Sequence, residues 1–122
     1  GAGRRLWFPG DPPAGPVFEE LGQRHGPFDM ALVPIGAYEP RSIMAAHHTN
    51  PEEAVANGRA MRAERLVAMH WGTVVLTDED PFEPPVRFRA AAEAAGLLPH
   101  QALVPRIGET IILDDGWPSN RL

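Results

Sequence analysis

This sequence predicts an α/β fold with parallel strands, on three observations. Apolar runs bounded by turn residues, at 4–9, 29–35 and 66–69, alternate with helical patterns near 16–25, 51–63 and 84–95. The middle run, Met30-Ala31-Leu32-Val33-Pro34-Ile35 after Asp29, is almost continuously apolar, as a strand buried on both faces would be. Between it and the next strand stands a strong helix start, Asn50-Pro51-Glu52-Glu53.

Taken in order, Arg5-Leu6-Trp7-Phe8 reads as a strand ending at Gly10-Asp11. A Pro/Gly loop leads to a helix near 16–25 with Val17, Phe18 and Leu21 on one face and Gly26 as its stop. The second strand should end at Pro34, where no ladder donor is needed. A stretch of about fifteen residues, Gly36 to Thr49, follows as a loop, and loops that long are often functional. Asn50 is then a good N-cap, Pro51 suits the first helical position and Glu53 the capping-box position, opening a helix to about Ala63. Leu66 to Met69 is the third strand, closing on His70. Pro84-Pro85 starts a third helix that stops at Gly96, with Phe88, Ala92 and Ala95 as its inner face. Segments 101–105 and 109–113, split by Arg106-Ile107-Gly108, read as a terminal hairpin, and 114–122 as a tail.

Length and composition narrow the function. At 122 residues the chain fits one small domain or a piece of a larger one. A net charge of -5 with no basic stripe gives no reason to bind nucleic acid. No cysteine is present, so disulfides and thiolate ligands are excluded and any metal must be held by His, Asp or Glu. No apolar run reaches the roughly 18 residues of a membrane span. Every basic residue is arginine, which with the many alanines suggests a GC-rich bacterial genome. A cytoplasmic or membrane-peripheral location is expected.

In parallel α/β sheets ligands bind beyond the carboxyl ends of the strands. Those ends carry Asp11, the stretch Gly36 to Arg41, and His70, with His47 and His48 on the long loop between. An aspartate and histidines gathered there suit a zinc-type site. Asp11 reads equally as a turn residue, and His70 as a hydrogen-bonded structural histidine. The neighbours His47 and His48 point in different directions, so at most one joins such a site. Two ligands are also fewer than the three protein groups a zinc site needs.

Taken together, Gly10-Asp11, Pro34-Ile35-Gly36-Ala37-Tyr38-Glu39-Pro40-Arg41, His48-Thr49-Asn50-Pro51-Glu52-Glu53-Ala54 and His70-Trp71-Gly72-Thr73 form an ordered series. It resembles the C-terminal portion of metallo-β-lactamase-fold proteins related to N-acylphosphatidylethanolamine-hydrolysing phospholipase D. The resemblance runs from about Leu6 to Leu113 and implies the C-terminal portion, residues 1–113, of an αββα sandwich. It implies a metal-dependent hydrolase with two ions, usually zinc, acting on phospholipid-type phosphodiesters. Asp11 then matches the aspartate that bridges both metals, and His70 the last histidine ligand. His48 matches a catalytic histidine of the substrate-side loop, and Tyr38 and Arg41 belong to the substrate-binding wall.

Two departures qualify this. The His-x-His-x-Asp-His motif that supplies most of the family's ligands is absent here, so this chain alone is expected to be inactive, to bind zinc weakly, and to need an N-terminal half as partner. Pro12-Pro13 follow Gly10-Asp11 where relatives commonly carry Thr-Gly-Tyr-like residues, removing backbone donors near Asp11. Both features also suit the alternative, a non-catalytic remnant kept as an assembly module. An open sheet edge would favour a homo-oligomer.

Overall fold

The computed structural model describes residues 3–113 and builds the predicted alternation around one sheet. Strand β1 spans Leu6–Trp7, β2 Met30–Pro34, β3 Leu66–Met69 and β4 Ala102–Leu103. They lie in the order β1-β2-β3-β4, and every neighbouring pair is parallel. β2 and β3 form the long central pair, with Ala31 opposite Leu66 and Pro34 opposite Met69. The outer strands pair over two residues each, which keeps both sheet edges short.

Between the strands run helices α1 (Val17–His25), α2 (Arg41–Met44), α3 (Pro51–Ala60) and α4 (Glu83–Ala94). Alternate sheet residues Ala31, Val33, Ile35, Leu66 and Ala68 form one core with Phe18 of α1, Ala54 and Val55 of α3, and Phe88 and Ala92 of α4. Side chains alternate between the faces of a strand, so these three helices share one face of the sheet. Burying each large aromatic of this core stabilises the fold by about 1.5–3 kcal/mol. Close approach of α3 to the sheet depends on Gly58, where a Cβ would run into the Leu66 side chain.

Helix α3 opens as its sequence dictates. The Asn50 side chain accepts from the Glu53 amide at 2.8 Å, and the Glu53 carboxylate accepts from the Asn50 amide at 2.9 Å. It ends at Ala60 rather than near Ala63, because Arg62 turns into the left-handed region at φ 60° and the Ala63 amide folds back onto the Gly58 carbonyl at 3.1 Å.

Three further expectations are corrected. Val17 is 49% exposed, leaving Phe18 and Leu21 as the inner face of α1. The stretch from Gly36 to Thr49 is not wholly a loop: Arg41–Met44 forms a short helix whose residues are none of them buried, so no apolar periodicity announced it. The terminal hairpin does not form. Ala102–Leu103 joins the sheet in parallel with β3, and 109–113 pairs with no strand. The turn between them exists, with the Arg106 amide donating to the Glu109 carboxylate at 2.7 Å, but the parallel edge of β3 captures its first arm. The proposed tail, 114–122, lies outside the described residues.

Candidate metal centre

All four strands point the same way, so the chain leaves β1, β2 and β3 on one side of the sheet. Asp11, His48 and His70 meet there, with one potential ligand atom from each lying within 4.8 Å of the others. The Asp11 carboxylate divides its two oxygens between the histidines. Its Oδ1 is 2.9 Å from His48 Nδ1 and its Oδ2 is 3.3 Å from His70 Nε2. The two imidazole rings stand 5.5 Å apart, centroid to centroid.

Each residue is placed by a local device. Gly10 takes φ 74° to turn the chain after β1, a conformation that favours glycine, and Asp11 follows it despite Pro12-Pro13. His70 ends β3 with φ 61°, a region non-glycine residues seldom occupy, so its ring is aimed by a backbone turn rather than by the strand. Gly36 lies directly beneath: a Cβ there would collide with the main-chain oxygen of His70. His48 is held by its neighbours. The buried Thr49 hydroxyl donates to the Pro34 carbonyl at 2.8 Å, fastening the loop to the end of β2.

Arg41 fastens the other side of that loop. Its guanidinium donates to the His48 carbonyl at 3.3 Å and pairs with Glu53 at 2.6 Å, while its amide donates to the Glu39 carboxylate at 3.0 Å. One arginine thus joins the His48 main chain to the N-terminus of α3. Tyr38 points inward and is 0% exposed, with the Arg87 guanidinium 4.7 Å from its ring centroid. Burial pushes the Tyr38 phenol up to about 12, although Arg87 pulls the other way. Arg87 in turn pairs with Glu52 at 2.7 Å and with Glu83 at 3.2 Å. His47 is exposed and stands apart from the cluster, as the adjacency of the two histidines required.

Three residues to which the sequence assigns no role shape this region. Gly36 stands inside the series from Pro34 to Arg41 with no role of its own in the sequence, yet it sets the approach of His70. Arg87 supports Tyr38 from α4. Glu79 accepts from the amides of Ala37, Tyr38 and Glu39 at 2.6, 3.3 and 3.0 Å. In sequence it belongs to the acidic run Asp78-Glu79-Asp80, which looks like any solvated loop, so no local signal could have singled it out.

The loop after His70 encloses a cavity of about 170 Å³, walled by Gly36, Ala37, His70, Trp71, Val74 and Leu76 among others. Val74, Val75 and Leu76 are each more than 60% exposed. No helix among the described residues is long and apolar enough to cross a membrane.

Comparison with known proteins shows the family and the fold. The family described as Beta-lactamase superfamily domain matches residues 1–71. The chain is 44% identical over 96 residues to N-acyl-phosphatidylethanolamine-hydrolyzing phospholipase D 1 of Caenorhabditis elegans, covering 77% of this chain and 27% of that protein. It is 30% identical over 99 residues to the mitochondrial N-acyl-phosphatidylethanolamine-hydrolyzing phospholipase D of Saccharomyces cerevisiae, covering 80% of this chain and 21% of the relative. The chain therefore spans about a quarter of the length of these relatives. Among solved structures, a metallo hydrolase from the archaeon Ignicoccus hospitalis superposes with a TM-score of 0.62 at 25% identity, over 89% of this chain and 41% of that one. The chain belongs to the β-lactamase superfamily, as a metallo-β-lactamase-fold protein similar to the N-acylphosphatidylethanolamine-hydrolysing phospholipases D.

Proposed function

We propose that this chain forms one wall of the active site of a zinc-dependent hydrolase that cleaves phospholipid-type phosphodiesters. The observation that carries the reading is the division of the Asp11 carboxylate between His48 and His70. Zinc–nitrogen and zinc–oxygen bonds of about 2.0–2.1 Å place two ligands of a tetrahedral ion about 3.3 Å apart. Asp11 Oδ2 and His70 Nε2 stand at that spacing, 3.3 Å. His48 Nδ1 is closer to Asp11 Oδ1, at 2.9 Å, the length of a hydrogen bond rather than of a coordination edge.

The donor set therefore supports distinct roles. Asp11 and His70 would hold metal. His48 would orient the carboxylate and give a hydrogen bond or a proton to the leaving group. Bound zinc would supply Lewis-acid polarisation of a phosphoryl oxygen and a nucleophile at neutral pH. Tyr38 and Arg41 would serve the substrate wall by holding its shape, Tyr38 from within and Arg41 by fixing the His48 main chain. Three candidate groups do not complete two metal sites. The remaining ligands would come from a His-x-His-x-Asp-His motif on a further part of the protein, such as the region of the relatives that this chain does not span.

The test joins this chain to the sequence encoded upstream of Gly1. The reading expects that sequence to carry the missing motif, the joined protein to hold about two zinc ions, and vesicles containing N-acylphosphatidylethanolamine to be hydrolysed only while metal is present. The 122-residue chain alone should be inactive. Turnover by that chain alone would overturn the division of the site between two parts. A joined protein without metal or activity would favour the non-catalytic assembly module instead.

A further inference from the structure

We propose that Glu79 is a positioning residue: it clasps the loop leaving β3 onto the loop leaving β2 and thereby fixes how His70 and His48 meet at Asp11. This rests on the reading of those three residues as the site. After the Ile35 amide donates to the Met69 carbonyl at 3.0 Å, the ladder between β2 and β3 stops. The next turn, with Ala37 at φ 65°, presents successive main-chain amides to one side, an arrangement that favours an anion. Glu79 fills it. Its Oε1 accepts from Ala37 and Tyr38, its Oε2 from Glu39, and the Asp78 amide donates back to the Glu39 carbonyl at 3.3 Å.

The clasp reaches both histidines by short routes. Glu79 belongs to the loop that begins at His70, and the turn it holds includes Ala37, next to the Gly36 that packs against the His70 main chain. In the other direction, the Glu39 carboxylate accepts from the Arg41 amide, and the Arg41 guanidinium donates to the His48 carbonyl. Burial pushes the Glu79 carboxyl up, but hydrogen bonds from Thr77 and from main-chain amides including Glu39 and Ala37 outweigh it and hold the group below its ordinary value. Glu79 therefore meets its donors as a carboxylate, and charge-assisted hydrogen bonds are the stronger kind. If Glu79 only stabilised the loops, its removal would move the two imidazoles no more than an equal loss of stability introduced elsewhere.

The experiment compares the wild-type chain with Glu79→Ala, Glu79→Gln and a core control, Phe88→Leu, by nuclear magnetic resonance and zinc titration. In Glu79→Ala the amides of Ala37, Tyr38 and Glu39 should exchange about ten-fold faster, as loss of a hydrogen bond to a charged group implies. The ring-to-ring contact of His48 and His70 should weaken, and zinc affinity should fall several-fold. Glu79→Gln retains an oxygen for Ala37 and Tyr38 but turns an NH2 toward the Glu39 amide, so it should fall between. Phe88→Leu should lose stability and keep both the ring contact and the zinc affinity. Unmoved rings in a folded Glu79→Ala would overturn the proposal. If that variant fails to fold, unmoved rings in Glu79→Gln would overturn it equally, as would loss of the ring contact in Phe88→Leu. A wild-type chain that shows the ring contact but takes no zinc would sink the metal reading while leaving the positioning claim to stand on the rings. Absence of the contact in the wild type would end both.

Discussion

Asp11 Oδ2 and His70 Nε2 lie 3.3 Å apart although their residues follow different strands, and that proximity comes from parallel pairing through β2. If both hold the same zinc ion, Asp11→Ala and His70→Ala should each cut the affinity with which the chain takes up zinc by at least about ten-fold, since each removes a ligand outright. His48→Ala removes only the group that orients the carboxylate and should cost less. Zinc titration followed by calorimetry reads the difference. Equal losses in all three variants would make His48 a third ligand.

Gly36 is the residue on which the approach of His70 depends. A Cβ at Gly36 would meet the His70 main-chain oxygen, and two backbones cannot relax as a flexible side chain can. Gly36→Ala should destabilise the fold by about 1–3 kcal/mol and shift the His70 ring signals, whereas Gly15→Ala, which meets nothing within 4 Å, should do neither. Urea unfolding and ring chemical shifts check it. A neutral Gly36→Ala would mean that the two backbones are not in contact.

The legible parts of this protein are those set by local chemistry. Asn50-Pro51 with Glu53 announced α3, and it begins there with both halves of its capping box made. Leu66 to Met69 was readable as a strand because a short apolar run stands between turn residues. The ends of the predicted strands singled out Asp11 and His70, with a turn aspartate and a structural histidine still open, and left His47 and His48 undivided; the resemblance chose His48 and gave each residue its role. What sequence did not show depends on contacts made only in three dimensions. Ala102–Leu103 is a parallel edge strand because β3 lies beside it, and no periodicity of its own distinguishes that from a hairpin arm. Glu79 acts through three amides some forty positions away, a relation invisible to any local pattern.

The cap of α3 also supports the site, since Glu53 both completes the capping box and pairs with Arg41. Asn50→Ala should cost about 1 kcal/mol, the usual value for a lost N-cap. Arg41→Ala removes a half-exposed ion pair of small worth, so its effect on stability should be slight. It should instead loosen the His48 loop, seen as faster exchange of the His48 and Thr49 amides. A stability loss from Arg41→Ala as large as that from Asn50→Ala would contradict this separation.

Acid should weaken the fold through Glu79 and Glu52. Burial pushes both carboxyls up, but hydrogen bonds from Thr77 and main-chain amides at Glu79, and from Arg87 and its own main chain at Glu52, leave both below 4.5. The unfolded chain therefore takes up these protons at a higher pH than the folded chain does. Their contribution to stability is fully present above pH 4.5 and is lost as pH falls through the lower folded values. Urea midpoints measured down the acid side should decline, and Glu79→Gln should flatten part of that decline. A decline unchanged by Glu79→Gln would remove Glu79 from this account.

Tyr38 is the only tyrosine in the chain, so phenolate absorbance reports on it alone. Burial raises it from 10.0 to about 12 in the folded protein, with Glu83 and Glu79 adding to the rise and Arg87 opposing it. Between those two values the folded chain keeps a proton that the unfolded chain has released. Rising pH then favours unfolding, and stability should fall across that window while remaining flat with respect to Tyr38 below 10. Arg87→Met removes the cation beside the ring, so in a variant that stays folded the phenol should titrate higher still. Tyr38→Phe should abolish the absorbance change and reduce the alkaline loss of stability. A phenolate signal with its midpoint near 10 in the folded chain would show that the ring is reached by water, and the buried, inward-facing placement of Tyr38 would have to be given up.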